Sequence, residues 1–200
     1  MRKFIVYSEK ASTAPYIKDL KASGRHDILL HSIISALFAS NTFRDDVELH
    51  LILMGPPNSP RHIVMRHAQD NTISKKNLKK TMEIALRKYR EGETKEVHPG
   101  VFIDNKSIYD VVEDCKKEGN EDGEIFVLDG NGKNIKEVIC ESEKDIWKIK
   151  KGIFILGDHE GFDKKTKKFL KKNVTRLSLG PQIYFTSQAI TIINYELDNL

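Results

Sequence analysis

Two short segments carry the residues best suited to chemistry. Ile153-Phe154-Ile155-Leu156 is apolar at every position and ends in Gly157-Asp158-His159-Glu160-Gly161. Three ionisable side chains in a row would be costly in a packed interior, so they are either exposed or used. A second run, Leu177-Ser178-Leu179, continues into Gly180-Pro181. Ligands of α/β sheets gather outside the carboxyl ends of strands, and glycine there lets backbone amides come close to a ligand. The Gly157 to Gly161 loop also fits a plain polar turn, with its acids near a helix N-terminus where the dipole favours them. A third segment, Ser23-Gly24-Arg25-His26-Asp27, precedes a helical pattern, and Asp27 reads as its N-cap. A cation gains nothing from a helix N-terminus, so Arg25 calls for a phosphate or carboxylate partner.

Several other chemistries lack their signatures. Gly130-Asn131-Gly132 follows a strand-like run but has neither the third glycine nor the helix start of a dinucleotide site. There is no phosphate-binding P-loop and no Gly-x-Ser-x-Gly elbow. Cys115 and Cys140 make neither a disulfide framework nor a metal spacing. His159 has no partner at i+4, so no metal is expected. His50, His62, His67 and His98 are scattered and read as surface or packing histidines.

Apolar patterning says which elements must hold these segments. Phe4 to Tyr7 is strand-like. Ile28, Leu29, Ile33, Ile34, Leu37 and Phe38 repeat at helical spacing. Val47, Leu49, Leu51 and Leu53 alternate as in a strand, which Gly55-Pro56-Pro57-Asn58-Ser59-Pro60 ends as a stiff connection. Ile63-Val64 and Val101-Phe102-Ile103 are further strand-like runs. Leu78, Met82, Ala85, Leu86 and Tyr89 form a basic amphipathic helix, and Ser107 caps another through Cys115. Ile125 to Leu128 is a buried-strand run, with Asp129-Gly130-Asn131-Gly132 as a turn and the polar stretch Glu118 to Glu124 as a surface loop. Helices are predicted from Lys164 to Leu170 and from Ser187 to Leu197, with a strand from Val174 to Leu179 between them. Strands that alternate with helices and are apolar at every position predict one α/β domain, residues 1–200, with a largely parallel, covered sheet.

Length and composition agree. Two hundred residues with 39% hydrophobic content suffice for one core, and 31% charged residues give a well-solvated surface. Ile28 to Ala39, the longest apolar stretch, is interrupted by His31, Ser32 and Ser35 and is too short for a membrane span. The first ten residues have too short an apolar core for a signal peptide, and the two cysteines fit a reducing compartment, so a cytoplasmic protein is expected. The net charge of +4 hides a pattern: residues 61–90 hold nine Lys/Arg against two acids, 109–143 four against eleven, and 144–176 eleven against four. Each run could simply be a solvated helix face. If the two basic runs meet, they form a surface for a polyanion.

Taken in order, Gly24-Arg25-His26-Asp27-Ile28-Leu29, Arg44-Asp45-Asp46-Val47, Gly55-Pro56-Pro57-Asn58-Ser59-Pro60, Pro99-Gly100-Val101, Phe154 to Gly161 and Leu177-Ser178-Leu179-Gly180-Pro181 resemble the archaeal transfer-RNA pseudouridine-54 N1-methyltransferases, of the SPOUT class. The resemblance spans nearly the whole chain. The Gly-Asp-His-Glu-Gly and Leu-Ser-Leu-x-Pro blocks are its most specific parts. It implies an α/β domain whose C-terminal part threads a trefoil knot, an exception to the rule that chains do not knot. It implies S-adenosylmethionine bound largely by backbone groups of Leu128, Gly157, Leu179, Gly180, Pro181, Gln182, Ile183 and Tyr184, with Ala189 in the closing helix. It also implies a homodimer with tRNA as partner, no membrane and no metal. The chain departs from the pattern where the family commonly has cysteine (Ala189), serine (Gly180) and basic residues (Asp104, Asn105), and at Ser74-Lys75-Lys76.

Methyl transfer to a ring nitrogen requires in-line positioning, and the N–H must lose its proton to a carboxylate, a histidine or water. Asp158 and His159 are the nearest candidates for that acceptor, and Asp27 is a third. The nucleotide must be splayed out of its stack, with Arg25 and basic residues of both subunits on the phosphates. Two alternatives stand beside this reading: a knotted methyltransferase for a ribosomal pseudouridine, and a non-catalytic RNA-binding protein of the same fold.

Overall fold

A computed structural model describes every residue of the chain except 41, 71–72, 119–122 and 142–145. In chain order the elements are β1 (Arg2–Ser8), α1 (His26–Leu37), β2 (Phe38–Ala39), β3 (Thr42–Phe43), β4 (Val47–Leu53), β5 (Arg61–Arg66), α2 (Leu78–Lys88), β6 (Lys95–His98), β7 (Val101–Asp104) and α3 (Ile108–Glu118). They continue with β8 (Ile125–Asn134), α4 (Ile135–Glu141), α5 (Ile146–Lys150), β9 (Ile153–Gly157), α6 (Lys164–Asn173), β10 (Thr175–Ser178) and α7 (Thr186–Asp198). Eight strands form one sheet in the order β10-β8-β9-β1-β4-β5-β7-β6, and β2 and β3 pair separately. The first five are mutually parallel, and β5, β7 and β6 add an antiparallel meander.

Helices cover both faces, which explains strands that are apolar at consecutive positions. Phe4, Val6, Leu49, Leu51, Phe154 and Leu156 face a core shared with α1, α2 and α7. Ile5, Tyr7, Ile52, Ile153 and Ile155 face a second core shared with α3 and α6. Each fully buried side chain of this size contributes about 1.5–3 kcal/mol.

The structure corrects several sequence expectations. Helix α1 begins at His26, and the residue in the N-cap position is Arg25, in left-handed geometry (φ 64°, ψ 42°). Asp27 therefore lies inside the first turn and is not the cap. Residues Asp129 to Gly132 do not end a strand, because β8 continues to Asn134. Its pairing with β10 jumps from Val127↔Arg176 to Lys133↔Leu177, so residues 128–132 bulge out between adjacent partners. Gly132 makes this possible: a Cβ there would stand 2.6 Å from the Leu177 backbone. The hairpin β2–β3, strand β6 and helices α4 and α5 were not foreseen from the pattern. The expected loop from Glu118 to Glu124 falls mostly outside the described residues. The segment Gly55 to Pro60 is the link of the antiparallel hairpin β4–β5.

The longest helices of the two basic runs lie on opposite faces of the sheet. Helix α2 packs by β6 and β7 on the α1/α7 face, whereas α6 covers β8 and β9 on the opposite face. Among the described residues, no helix is long and apolar enough to cross a membrane.

One polar cluster ties the chain's ends together. The buried Arg2 guanidinium donates to Asp46 Oδ2 at 2.8 Å and to Asn194 Oδ1 at 3.1 Å, and pairs with Asp198 at 3.0 Å. Asp198 also takes a two-pronged contact from Arg44. Arg2→Met leaves these partners without their central cation. We expect a loss of about 2–3 kcal/mol, read as a fall in Tm of about 4–10 °C.

Candidate active site

The carboxyl ends of β8, β9 and β10 open onto one cavity of about 880 Å³, closed by the start of α7, by α6 and by the N-terminus of α1. Parallel pairing places these ends together, because β8 and β9 run in register from Ile125↔Ile153 to Val127↔Ile155. Leu128, Gly157, Leu179, Gly180, Gln182, Ile183, Tyr184 and Ala189 line the cavity, as do Arg25, Asp27, Asp158 and His159. Pro181 is exposed and is not part of the lining. His31, Lys167, Lys171, Phe185 and Thr186 also line it and were missed. Lys167 and Lys171 stand at i and i+4 on α6, a spacing that marks one helix face; the even density of lysines along that helix masked it.

The loop after β9 is held from three sides. Asp158 is buried, accepting the Ser8 hydroxyl on Oδ2 at 2.6 Å and the Glu160 amide on Oδ1 at 2.9 Å. A Cβ on Gly157 would lie 2.7 Å from the Gly161 Cα, so only glycine lets the loop close on itself. The Thr186 hydroxyl donates to the Gly157 carbonyl at 2.8 Å, joining the start of α7 to the same loop. Lys10 reaches across to Glu160 at 2.5 Å, and this contact lowers the Glu160 carboxyl below its usual range. The acid that caps α6 is Asp163, whose Oδ1 accepts the amides of Lys165 and Thr166. Its Oδ2 accepts the Tyr7 hydroxyl at 2.9 Å, and burial together with this carboxylate raises the Tyr7 phenol.

His159 differs from Asp158. It is exposed, with Nδ1 3.8 Å from Asp158 Oδ1 and Nε2 3.5 Å from Glu160 Oε1. Across the cavity mouth, Arg25 donates from Nε and Nη2 to the two oxygens of Asp27, each at 2.9 Å. The carboxylate partner that the sequence called for is thus supplied by the chain itself. This fork lowers the Asp27 carboxyl. Beside them His26 is fully buried, donates from Nε2 to the Ser12 carbonyl at 3.0 Å, and is pushed down by burial, which keeps the ring neutral.

The lining combines apolar walls (Leu128, Leu156, Leu179, Ala189) with Asp129, Lys167, Lys171 and Gln182. Gly180 has φ +114°, a conformation that L side chains rarely adopt, and its amide and carbonyl both meet the Ser178 hydroxyl at 3.2 Å. The volume lies within the range of small-molecule sites.

A sheet of this order with a cavity at its carboxyl edge defines an α/β protein that binds a small ligand at looped strand ends. The whole chain, residues 1–200, matches the family described as "Putative SAM-dependent RNA methyltransferase". It is 31% identical over 203 residues to the tRNA (pseudouridine(54)-N(1))-methyltransferase of Methanopyrus kandleri, covering 99% of this chain and 93% of that protein. It is 31% identical over 212 residues to the enzyme of the same name from Pyrococcus abyssi, covering 100% and 98%. Among solved structures, Archaeoglobus fulgidus Nep1 bound to S-adenosylhomocysteine superposes with a TM-score of 0.66 at 12% identity, over 99% of this chain and 97% of that one, a likeness of fold. The chain belongs to this family of S-adenosylmethionine-dependent RNA methyltransferases.

Two substitutions test the loop. Ser8→Ala removes one of the two donors to Asp158 and should weaken S-adenosylhomocysteine binding about tenfold by calorimetry, the equivalent of one lost buried hydrogen bond. Gly157→Ala should abolish that binding while circular dichroism still reports a folded chain.

Proposed function

We propose that this chain is a single-domain, cytoplasmic enzyme that methylates N1 of pseudouridine at position 54 of tRNA, using S-adenosylmethionine and working as a homodimer. The observation that carries this reading is the shared cavity at the ends of β8, β9 and β10 in a chain whose full length matches enzymes of that name. When bound, the cofactor supplies an electrophilic methyl group. Leu128, Gly157, Leu179, Gly180, Gln182, Ile183, Tyr184 and Ala189 would hold it, mostly through backbone groups, and side-chain departures at Gly180 and Ala189 leave that mode of holding intact.

The bulge of β8 over Leu177 and the return of α7 to the Gly157 carbonyl are consistent with a trefoil knot formed by the last third of the chain. Exposed Ile183, Phe185 and Tyr195 on and before α7 offer the apolar surface a second subunit would cover. A dimer would also bring basic surfaces from two subunits to one RNA.

Among the three candidate proton acceptors, His159 is the one free to act. Asp158 has an oxygen committed to each of two donors and braces the loop. Asp27 is occupied by Arg25. His159 stands exposed at the cavity edge and takes the N1 proton as the methyl group is accepted, while Arg25, its Nε and Nη2 kept on Asp27, turns its Nη1 to an RNA phosphate. The reaction is checked with a labelled cofactor and tRNA transcripts that carry either pseudouridine or uridine at position 54. Methyl incorporation into the first only is expected, and incorporation into neither sinks the proposal. His159→Ala should lower kcat about 100-fold with cofactor affinity unchanged. If His159→Ala retains full turnover at saturating cofactor, the proton goes elsewhere.

A further inference from the structure

On the α3 side of the sheet, where β4, β5 and β7 lie adjacent, four buried ionisable residues form a row. Glu48 Oε1 lies 3.0 Å from His50 Nε2. His50 Nδ1 lies 2.9 Å from His62 Nε2, and the two rings stack with centroids 5.1 Å apart. His62 Nδ1 lies 2.9 Å from Asp104 Oδ1. All four residues are at most 8% exposed. Asp104 also accepts the Lys106 amide at 2.9 Å and the Thr94 hydroxyl at 3.0 Å, tying the row to the segments before α3 and β6.

Hydrogen-bond arithmetic sets the protonation of this row. Burial would raise the Glu48 carboxyl, but His50 and the cations Lys3 and Arg66 outweigh it and bring it down to about 2. Asp104 is likewise lowered, burial being outweighed by His62, the Lys106 amide and Thr94. Both carboxylates therefore accept, so His50 Nε2 and His62 Nδ1 must each carry hydrogen. The inner nitrogens can bond at 2.9 Å only if one more proton lies between them. Two neutral rings hold one proton each, one short of what the contacts require.

We infer that His50 and His62 form a proton-bridged pair carrying one positive charge, a pH-sensitive latch that joins β4, β5 and β7 to the start of α3. Burial lowers His62, and His50 meets Glu48 with one ring nitrogen and His62 with the other. Three cations surround the row: Lys3 on β1 and Arg66 on β5 face Glu48, and Lys106 faces His62. Asp110 at the start of α3 lies within the field of Asp104 and Lys106. Glu96 on β6 is turned to the Gly100 amide. Loss of the bridging proton sets two lone pairs against each other at 2.9 Å, so the latch opens as pH rises. Asp104, where the family commonly has a basic residue, is thus a member of the latch.

Long-range ¹⁵N–¹H NMR of the wild-type protein at pH 7 reads the ring nitrogens directly. Three protonated nitrogens across His50 and His62, with a scalar coupling between the rings, are expected. One proton on each ring overturns the inference. Thermal melts from pH 7 to 9 give a second reading: wild type should lose about 3–6 °C more than His50→Phe, which has no such proton to release. Equal slopes overturn it as well, and if His50→Phe fails to fold, the NMR result decides.

Discussion

Everything in this molecule hangs on β1 as a strand with no solvent on any side. It is paired by β9 on one edge and β4 on the other, and its seven residues are buried on both faces. A strand so enclosed keeps its neighbours parallel and its polar groups at its ends. Its last residue, Ser8, therefore emerges beside the end of β9, and its hydroxyl meets the carboxylate of Asp158. The loop that follows β9 is thus anchored to the core of the sheet by one short hydrogen bond between residues 150 positions apart.

The cavity is largely a backbone construction. Gly157 permits the close approach to Gly161, Gly132 permits the β8 bulge over Leu177, and Gly180 takes a conformation that side chains disfavour. The charged residues around it are held by partners within the chain: Asp158 by Ser8, Glu160 by Lys10, Asp27 by Arg25 and Asp163 by Tyr7. A site organised in this way can bind a ligand through peptide groups while the exposed His159, beside Asp158 and Glu160, and the α6 residues Lys167 and Lys171, the latter 3.9 Å from Asp129, face the substrate. Family membership and this geometry point the same way.

The antiparallel end of the sheet obeys different rules. There the face away from α1 and α2 carries Glu48, His50, His62 and Asp104, and no apolar helix face could cover them favourably. They satisfy one another in a row that admits only one proton count. The stability of that end is thereby coupled to protonation, whereas the parallel end relies on apolar packing.

The sequence by itself determined the α/β class and the strand ends that carry the site, because these follow from local apolar runs and glycine positions; Leu128, Gln182, Ile183, Tyr184 and Ala189 were named only through the family resemblance. The Gly-Asp-His-Glu-Gly block was legible for that reason. Contacts between distant residues were not. Asp27 reads as a cap until Arg25 is seen in left-handed geometry holding its carboxylate. Asp129 to Gly132 reads as a turn until β10 is found pairing on both sides of the bulge. His50 and His62 read as unrelated until the antiparallel register of β4 and β5 stacks their rings. Local pattern records which face of an element is apolar. Which polar groups meet across strands depends on register and crossover, and these are decided only when the sheet assembles.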